Sequence, residues 1–265
     1  MQARTKIFDK GTGPTVVVVP GLHGRWEWMK PALHKLSEHC RVISYSLSGD
    51  FGSGHRLNGS RDFDSYIRQL DDLLNETEVR KAVVCGISFG GFVALRYAAQ
   101  RRARVEGLIL ASAPAPGWQP TSQQARWIAT PWLSAPVFVV TSPVRLWPEV
   151  RAAFPTPTAR LGFFARQGLR AARSPMIPSL MARRIREAQR LNFAEDCACI
   201  DVPTLVLSGE EELDRVVPVT STRTYASLIR SAEYHVLPRT GHIGVLTQPA
   251  HFAEMVSGFV HAHHH

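Results

Sequence analysis

Residues 81–100 read KAVVCGISFGGFVALRYAAQ, and this stretch constrains the chain more than any other. Ala82-Val83-Val84-Cys85 is a short apolar run with β-branched residues, as in a buried strand. Gly86-Ile87-Ser88-Phe89-Gly90 follows at once, and Phe92, Leu95 and Ala99 then recur at helical spacing. The order is strand, tight turn, helix, with one serine at the apex. In that context the G-x-S-x-G pattern predicts a nucleophile elbow. Side chains at 86 and 90 would block the sharp turn and the close approach of helix to strand, which accounts for the two glycines. The turn is expected to lift the Ser88 hydroxyl above the strand end. It also aims the Phe89 N–H, at the helix N-terminus, toward the same point. The bare pattern arises by chance in roughly one chain in ten of this length, so the rest of the chain has to support it.

Strand and helix signals alternate on both sides of this unit. Ile7–Gly13 reads as a strand and turn, and Thr15–Val19 as a β-branched strand buried on both faces. Pro20-Gly21-Leu22-His23-Gly24 follows, a Gly-rich turn that lets a backbone N–H face a pocket. Pro31 opens a helix expected to reach Glu38, and Arg41–Ser46 is the next strand. Gly49, Gly52 and Gly54 form a loop. Phe63, Ile67, Leu70 and Leu74 mark a helix over Asp62–Leu74. After the elbow come strands at Val105–Ala111, Pro203–Ser208 and Glu233–Leu237, with helices at Val219–Ile229 and Pro249–Phe259. This is βαβ spacing. It predicts an α/β fold: a mostly parallel central sheet with helices on both faces.

The alternation stops at Ala113–Asn192, which is rich in proline, arginine and tryptophan. Between residues 113 and 194 there are eleven arginines, no lysine, and only Glu149 and Glu187 as acids. The whole +9 net charge of the chain therefore sits there. The expected organisation is a core of residues 1–112 and 201–260 with an inserted, mainly helical lid over 113–200. His261-Ala262-His263-His264-His265 reads as a partial tag. Cys40, Cys85, Cys197 and Cys199 are few and scattered, which points to a reducing, cytoplasmic setting. No stretch has the length and apolarity of a membrane span, and the N-terminal residues lack the apolar centre of a signal peptide. No His, Asp, Glu or Cys cluster has metal-ligand spacing, so neither metal nor cofactor is expected. Nucleic-acid binding is not expected either, since no recognition motif accompanies the charge.

A serine hydroxyl needs a base to take its proton, and the base needs a third group to orient it. Two later loops supply both. Glu210 to Pro218 holds Asp214 after one strand, and Arg239-Thr240-Gly241-His242 follows the last. Open parallel sheets place their sites at these strand ends. The remaining histidines (His34, His39, His55, His235 and His251) lack a partner pattern and read as surface or packing residues.

With PGLHG after a strand, GISFG at the elbow, an LDRVVP loop and a TGH loop, the chain resembles the α/β-hydrolase-fold serine hydrolases over nearly the whole core. The resemblance implies Ser88 as nucleophile, His242 as general base and then acid, and Asp214 as the orienting acid, with Glu211 or Glu212 as an alternative. It implies an oxyanion hole from the N–H groups of Leu22 and Phe89, although Pro20-Gly21 stands where many relatives have His-Gly. Ser46 to Gly52 departs from the Asp-x-x-Gly-x-Gly stretch common in relatives, so that loop is expected to be reshaped.

Serine rather than aspartate at the elbow implies an acyl-enzyme, hence an ester, thioester, lactone or similar acyl substrate. His23, Trp26 and Trp118 are candidate substrate contacts. His23 also reads as a packed loop histidine, and the insert's tryptophans (Trp118, Trp127, Trp132 and Trp147) as the lid's own core. The arginines read as a patch that steers an anionic or carrier-linked small-molecule substrate, as a contact to anionic lipid, or as a solvated face. The first reading is an esterase for medium-sized apolar acyl groups. The alternatives are a biosynthetic thioesterase or acyltransferase, and a lyase or ligand-binding member of the fold. Oligomeric state is open.

Overall fold

The computed structural model describes residues 6–53 and 62–264. Seven strands form one sheet: β1 (Phe8–Lys10), β2 (Thr15–Val19), β3 (Arg41–Ser44), β4 (Ala82–Ile87), β5 (Val105–Ala111), β6 (Thr204–Ser208) and β7 (Ala232–Val236). Their spatial order is β1-β3-β2-β4-β5-β6-β7, and every pairing is parallel except that of β1 with β3. The β-branched run Val16 to Val19 is fully buried between β3 and β4, because a parallel strand covered on both faces has no solvent side to supply with polar residues. β7 is the far edge. Its Glu233 and His235 are exposed, and charge there discourages pairing with another chain.

Helices cover both faces. On one side α1 (Lys30–Leu36) packs with the closing helix α12 (Pro249–His263) over Val16, Val18, Cys85, Ile109 and Leu207. On the other, α2 (Asp64–Glu76) and α3 (Phe89–Gln100) bury Leu70, Phe92, Leu95 and their neighbours against Val17, Val84 and Leu110. Successive residues on a strand face opposite layers, so β4 sends Val84 to one core and Val83 and Cys85 to the other. The apolar setting pushes the Cys85 thiol well above its ordinary pKa and that of Cys197 up to about 12. All four cysteines are free.

Between β5 and β6 the chain runs through five helices: α4 (Ser122–Ala129), α5 (Pro131–Ala153), α6 (Pro157–Arg173), α7 (Pro178–Ala188) and α8 (Phe193–Ala198). Thr121 caps α4 in a capping box with Gln124, and Thr156 caps α6. Prolines that break the sequence pattern open α5, α6 and α7 at their first turn, where the missing N–H costs nothing. Pro136, Pro143 and Pro148 lie inside α5, which continues through them.

The expected helices differ in their bounds: the one over Asp62–Leu74 spans Asp64–Glu76, and the one over Pro249–Phe259 runs to His263. The one over Pro31–Glu38 spans Lys30–Leu36. The one over Val219–Ile229 is two short pieces, α9 (Val219–Arg223) and α10 (Tyr225–Leu228). Thr222 donates to the Ala113 carbonyl and Tyr225 to the Pro114 carbonyl. Those ties to the chain after β5 hold the two pieces separately. α11 is Gly244–Thr247. The chain end expected as a partial tag is helical through His263. His55 and Gly54 lie outside the described residues. No described helix is long and apolar enough to cross a membrane.

Candidate active site

Because β2, β4, β6 and β7 are parallel, the loops that follow them share one edge of the sheet. Ser88 sits where β4 turns into α3, at φ 52° and ψ −121°. A non-glycine residue there is strained by about 1–3 kcal/mol and has to be held by its surroundings. It is: the Ser88 N–H donates to the Ala111 carbonyl at 2.8 Å, and the Ser88 carbonyl accepts from Gly91 N–H at 2.8 Å. The elbow glycines are required by close approach. A Cβ on Gly86 would lie 2.3 Å from the Gly90 oxygen, and one on Gly90 would lie 2.4 Å from the Val19 oxygen.

The Ser88 Oγ lies 2.9 Å from His242 Nε2, and His242 Nδ1 lies 3.2 Å from Asp214 Oδ2. Asp214 Oδ1 accepts the N–H groups of Val216 at 2.8 Å and Val217 at 3.0 Å. One carboxylate oxygen is thus fixed by the backbone and the other faces the imidazole. Glu211 and Glu212 are exposed, so the sequence alternatives do not reach His242. The acid and histidine loops meet through two glycines. A Cβ on Gly209 would strike the Gly241 carbonyl at 2.4 Å, and one on Gly241 the Leu213 carbonyl at 2.4 Å.

Burial opposes charge on both partners, and the pair overcomes it. Desolvation pulls the His242 pKa down, but Asp214, followed by Glu149, more than offsets it, and the net shift is upward. Burial likewise pushes Asp214 up. The His242 charge and hydrogen bond, with the Val217 and Val216 N–H groups, bring its carboxyl below the ordinary value. The arrangement can take a proton from the Ser88 hydroxyl and hold the resulting imidazolium.

The turn after β2 runs against the elbow. A Cβ on Gly21 would lie 3.4 Å from the Ser88 Cβ. Phe89 opens α3, where an N–H has no partner within its own helix. Among the described residues neither the Leu22 nor the Phe89 N–H donates to another backbone carbonyl outside regular elements. The Phe89 ring itself is buried against Phe63, Tyr66 and Phe92.

The other expected contacts are placed differently. The His23 ring packs on Trp28 with centroids 5.4 Å apart, and its Nδ1 accepts the Arg25 N–H at 3.3 Å. Burial, then the Arg184 and Arg25 charges, lower its pKa to about 3, so the ring is neutral. Trp26 packs on Phe8 and donates to the Lys6 carbonyl at 3.1 Å, on the β1 side of the sheet. Trp118 lies half-buried in the turn between β5 and α4.

Two charged residues of the helical insert reach this site, and the motifs single out neither. Glu149, 1% exposed on α5, accepts the Ile243 N–H at 3.0 Å and the Thr247 hydroxyl at 2.8 Å, as well as the Gly241 N–H. It therefore grips the backbone on both sides of His242. Burial raises its pKa against those bonds. Arg184, 1% exposed on α7, pairs with Asp50 and donates to the Leu22 carbonyl at 2.9 Å. It ties the insert to the turn that carries the Leu22 N–H. Asp50 lies in the loop whose sequence departs from the common pattern. Scarcity was the one available signal for Glu149, as one of two acids in an arginine-rich stretch. Arg184 is indistinguishable by sequence from its ten neighbours.

Comparison with known proteins agrees with this fold. The profile of the alpha/beta hydrolase family matches residues 16–255. The chain is similar to a 2-hydroxy-6-oxo-2,4-heptadienoate hydrolase of Pseudomonas putida F1, with 28% identity over 97% of this chain and 93% of that one. It is also similar to 3-oxoadipate enol-lactonase 1 of Acinetobacter baylyi, with 26% identity over 90% and 84%. Among solved structures, the enol-lactonase from Burkholderia xenovorans LB400 superposes with a TM-score of 0.77 at 20% identity, covering 97% and 96% of the two chains. A thermophilic esterase from Thermogutta terrifontis gives 0.76 at 24% identity, covering 98% and 94%.

Proposed function

The chain belongs to the alpha/beta hydrolase family, and from that premise we propose that it is a serine hydrolase cleaving a carboxylic ester of medium-sized apolar acyl groups through an acyl-enzyme on Ser88. The observation that carries the reading is the continuous chain from Ser88 Oγ through His242 to Asp214, at 2.9 and 3.2 Å. His242 Nε2 takes the hydroxyl proton as Ser88 Oγ bonds to the substrate carbonyl carbon. The oxyanion that forms is met by the N–H groups of Leu22 and Phe89, and each such donor contributes about 10²–10³ in rate. His242 then passes its proton to the leaving oxygen as the ester bond breaks. Water, deprotonated by the same nitrogen, attacks the acyl-enzyme and frees Ser88. The helices over 113–200 act as a lid that sets which acyl group is accepted. The four free thiols support a reducing, cytoplasmic setting.

A second reading is favoured by the insert's charge and by the names of the relatives, which specify a heptadienoate and an oxoadipate derivative. In it the same Ser88 chemistry acts on an acyl compound bearing a carboxylate, or on an anionic thioester. A chain-length series of p-nitrophenyl esters, neutral and carboxylated, with wild type and Ser88→Ala at low and high salt, tests both. Ser88-dependent hydrolysis of neutral esters with a length optimum supports the first. A preference for the carboxylated series that salt removes supports the second. Undiminished turnover in Ser88→Ala rules out the mechanism.

A further inference from the structure

The outward face of α5 is apolar for about two-thirds of its length. Leu133, Val137, Val140, Val144 and Trp147 follow one another at steps of four and three residues, which places them in one stripe along the helix. With Trp132 at its start the stripe runs about 22 Å at 1.5 Å per residue. The aliphatic side chains protrude, Val144 77% exposed and Leu133 81%, while Trp147 stacks on Phe164 with one side left open. The opposite side of α5 faces the protein, where Arg145 lies over the Trp127 and Phe138 rings and Glu149 holds the His242 loop. Leu161 and Leu169, on neighbouring α6, are also exposed.

The charge around this face has one sign. Arg126, Arg151, Arg166 and Arg173 are exposed, and both carboxylates between residues 113 and 194, Glu149 and Glu187, are buried. Between residues 113 and 194 the charged groups left open to solvent are therefore all cationic. An apolar patch of this extent marks a contact surface. Two copies meeting face to face would bring two arginine rims together with no carboxylate between them. A bilayer accepts a protruding helix without having to supply a groove, and anionic headgroups would neutralise the rim. Trp132 and Trp147, one at each end of the stripe, are the residue type that settles at headgroup level. The polar groups on the inner side keep α5 from spanning, and no described helix is long and apolar enough to cross.

We propose that the outer face of α5 docks the protein, lying flat, on an anionic phospholipid surface. The test is flotation with vesicles of phosphatidylcholine alone and of an equal mixture of phosphatidylcholine and phosphatidylglycerol. Wild type is expected to float with the mixed vesicles, to release in high salt, and to remain behind with phosphatidylcholine alone. Val140→Glu/Val144→Glu, with its thermal melt checked against wild type, is expected to bind the mixed vesicles about tenfold more weakly or less. Arg166→Gln/Arg173→Gln, on neighbouring α6 and outside the apolar stripe itself, is expected to weaken binding several-fold. Failure of wild type to float, or equal flotation of wild type and the valine variant, overturns the proposal. So does a concentration-dependent dimer that the valine variant abolishes, since a second copy would then own the face. The assay reads no turnover, so its outcome is independent of the Ser88 mechanism.

Discussion

Replacing Arg184 with methionine isolates what the insert does for the site. The guanidinium is 1% exposed, pairs with the 5% exposed Asp50, and donates to the Leu22 carbonyl. Removing one member of a buried pair leaves an uncompensated charge and costs about 3–5 kcal/mol. The orphaned Leu22 carbonyl adds about 1–3 kcal/mol. A domain has about 5–15 kcal/mol in total, so Arg184→Met is expected to lower Tm by about 10 °C or more, or to fold poorly. The informative variant is therefore Arg184→Met/Asp50→Asn, which removes the stranded charge and should recover most of the first term. It does not restore the donor to the Leu22 carbonyl. The turn carrying the Leu22 N–H stays loosely held, and kcat/KM should fall by more than tenfold. The loss should remain below the roughly 10²–10³ expected for losing an oxyanion donor outright. The assay pairs thermal melts of both variants with kcat/KM on the best ester from the chain-length series. A double variant with both wild-type Tm and wild-type kcat/KM would refute the reasoning, because Arg184 would then serve only to neutralise Asp50.

The other expectations concern the same site. Glu149→Gln removes a negative charge that, after Asp214, helps to raise the His242 pKa. The base form of His242 then persists to lower pH, so the acidic limb of the kcat/KM profile should move down, and an unmoved limb would show that Glu149 does not act on His242. Gly90→Ala places a Cβ 2.4 Å from the Val19 oxygen and 2.7 Å from the Pro20 oxygen, both backbone atoms. It should cost about 1–3 kcal/mol and depress kcat by displacing the turn before Leu22. A variant matching wild type in melt and rate would mean that the elbow has slack.

The residues of the candidate site are legible in the sequence where local physics dictates them. Gly86, Gly90 and Ser88 carry a turn that few residue types can make. The β-branched run of β2 can only be a buried strand, and Asp214 and His242 stand at the ends of strands readable from their apolar pattern. Alternating strand and helix then implied the parallel sheet, which collects those ends on one edge. What the sequence left open depends on distance across the fold. The resemblance puts Asp214 ahead of Glu211 and Glu212, and the packed acid loop, with the Val216 and Val217 N–H groups on Asp214, brings that carboxylate to the imidazole. Trp26 and His23 lie beside the turn that carries Leu22, yet their rings pack against Phe8 and Trp28. Glu149 and Arg184 act on residues 94 and 162 positions away, and no periodicity encodes such a contact. Short-range sterics write turns and strands into neighbouring residues. The choice of which charged side chain is buried, and against what, belongs to the packed structure, where desolvation penalises every charge that lacks a partner.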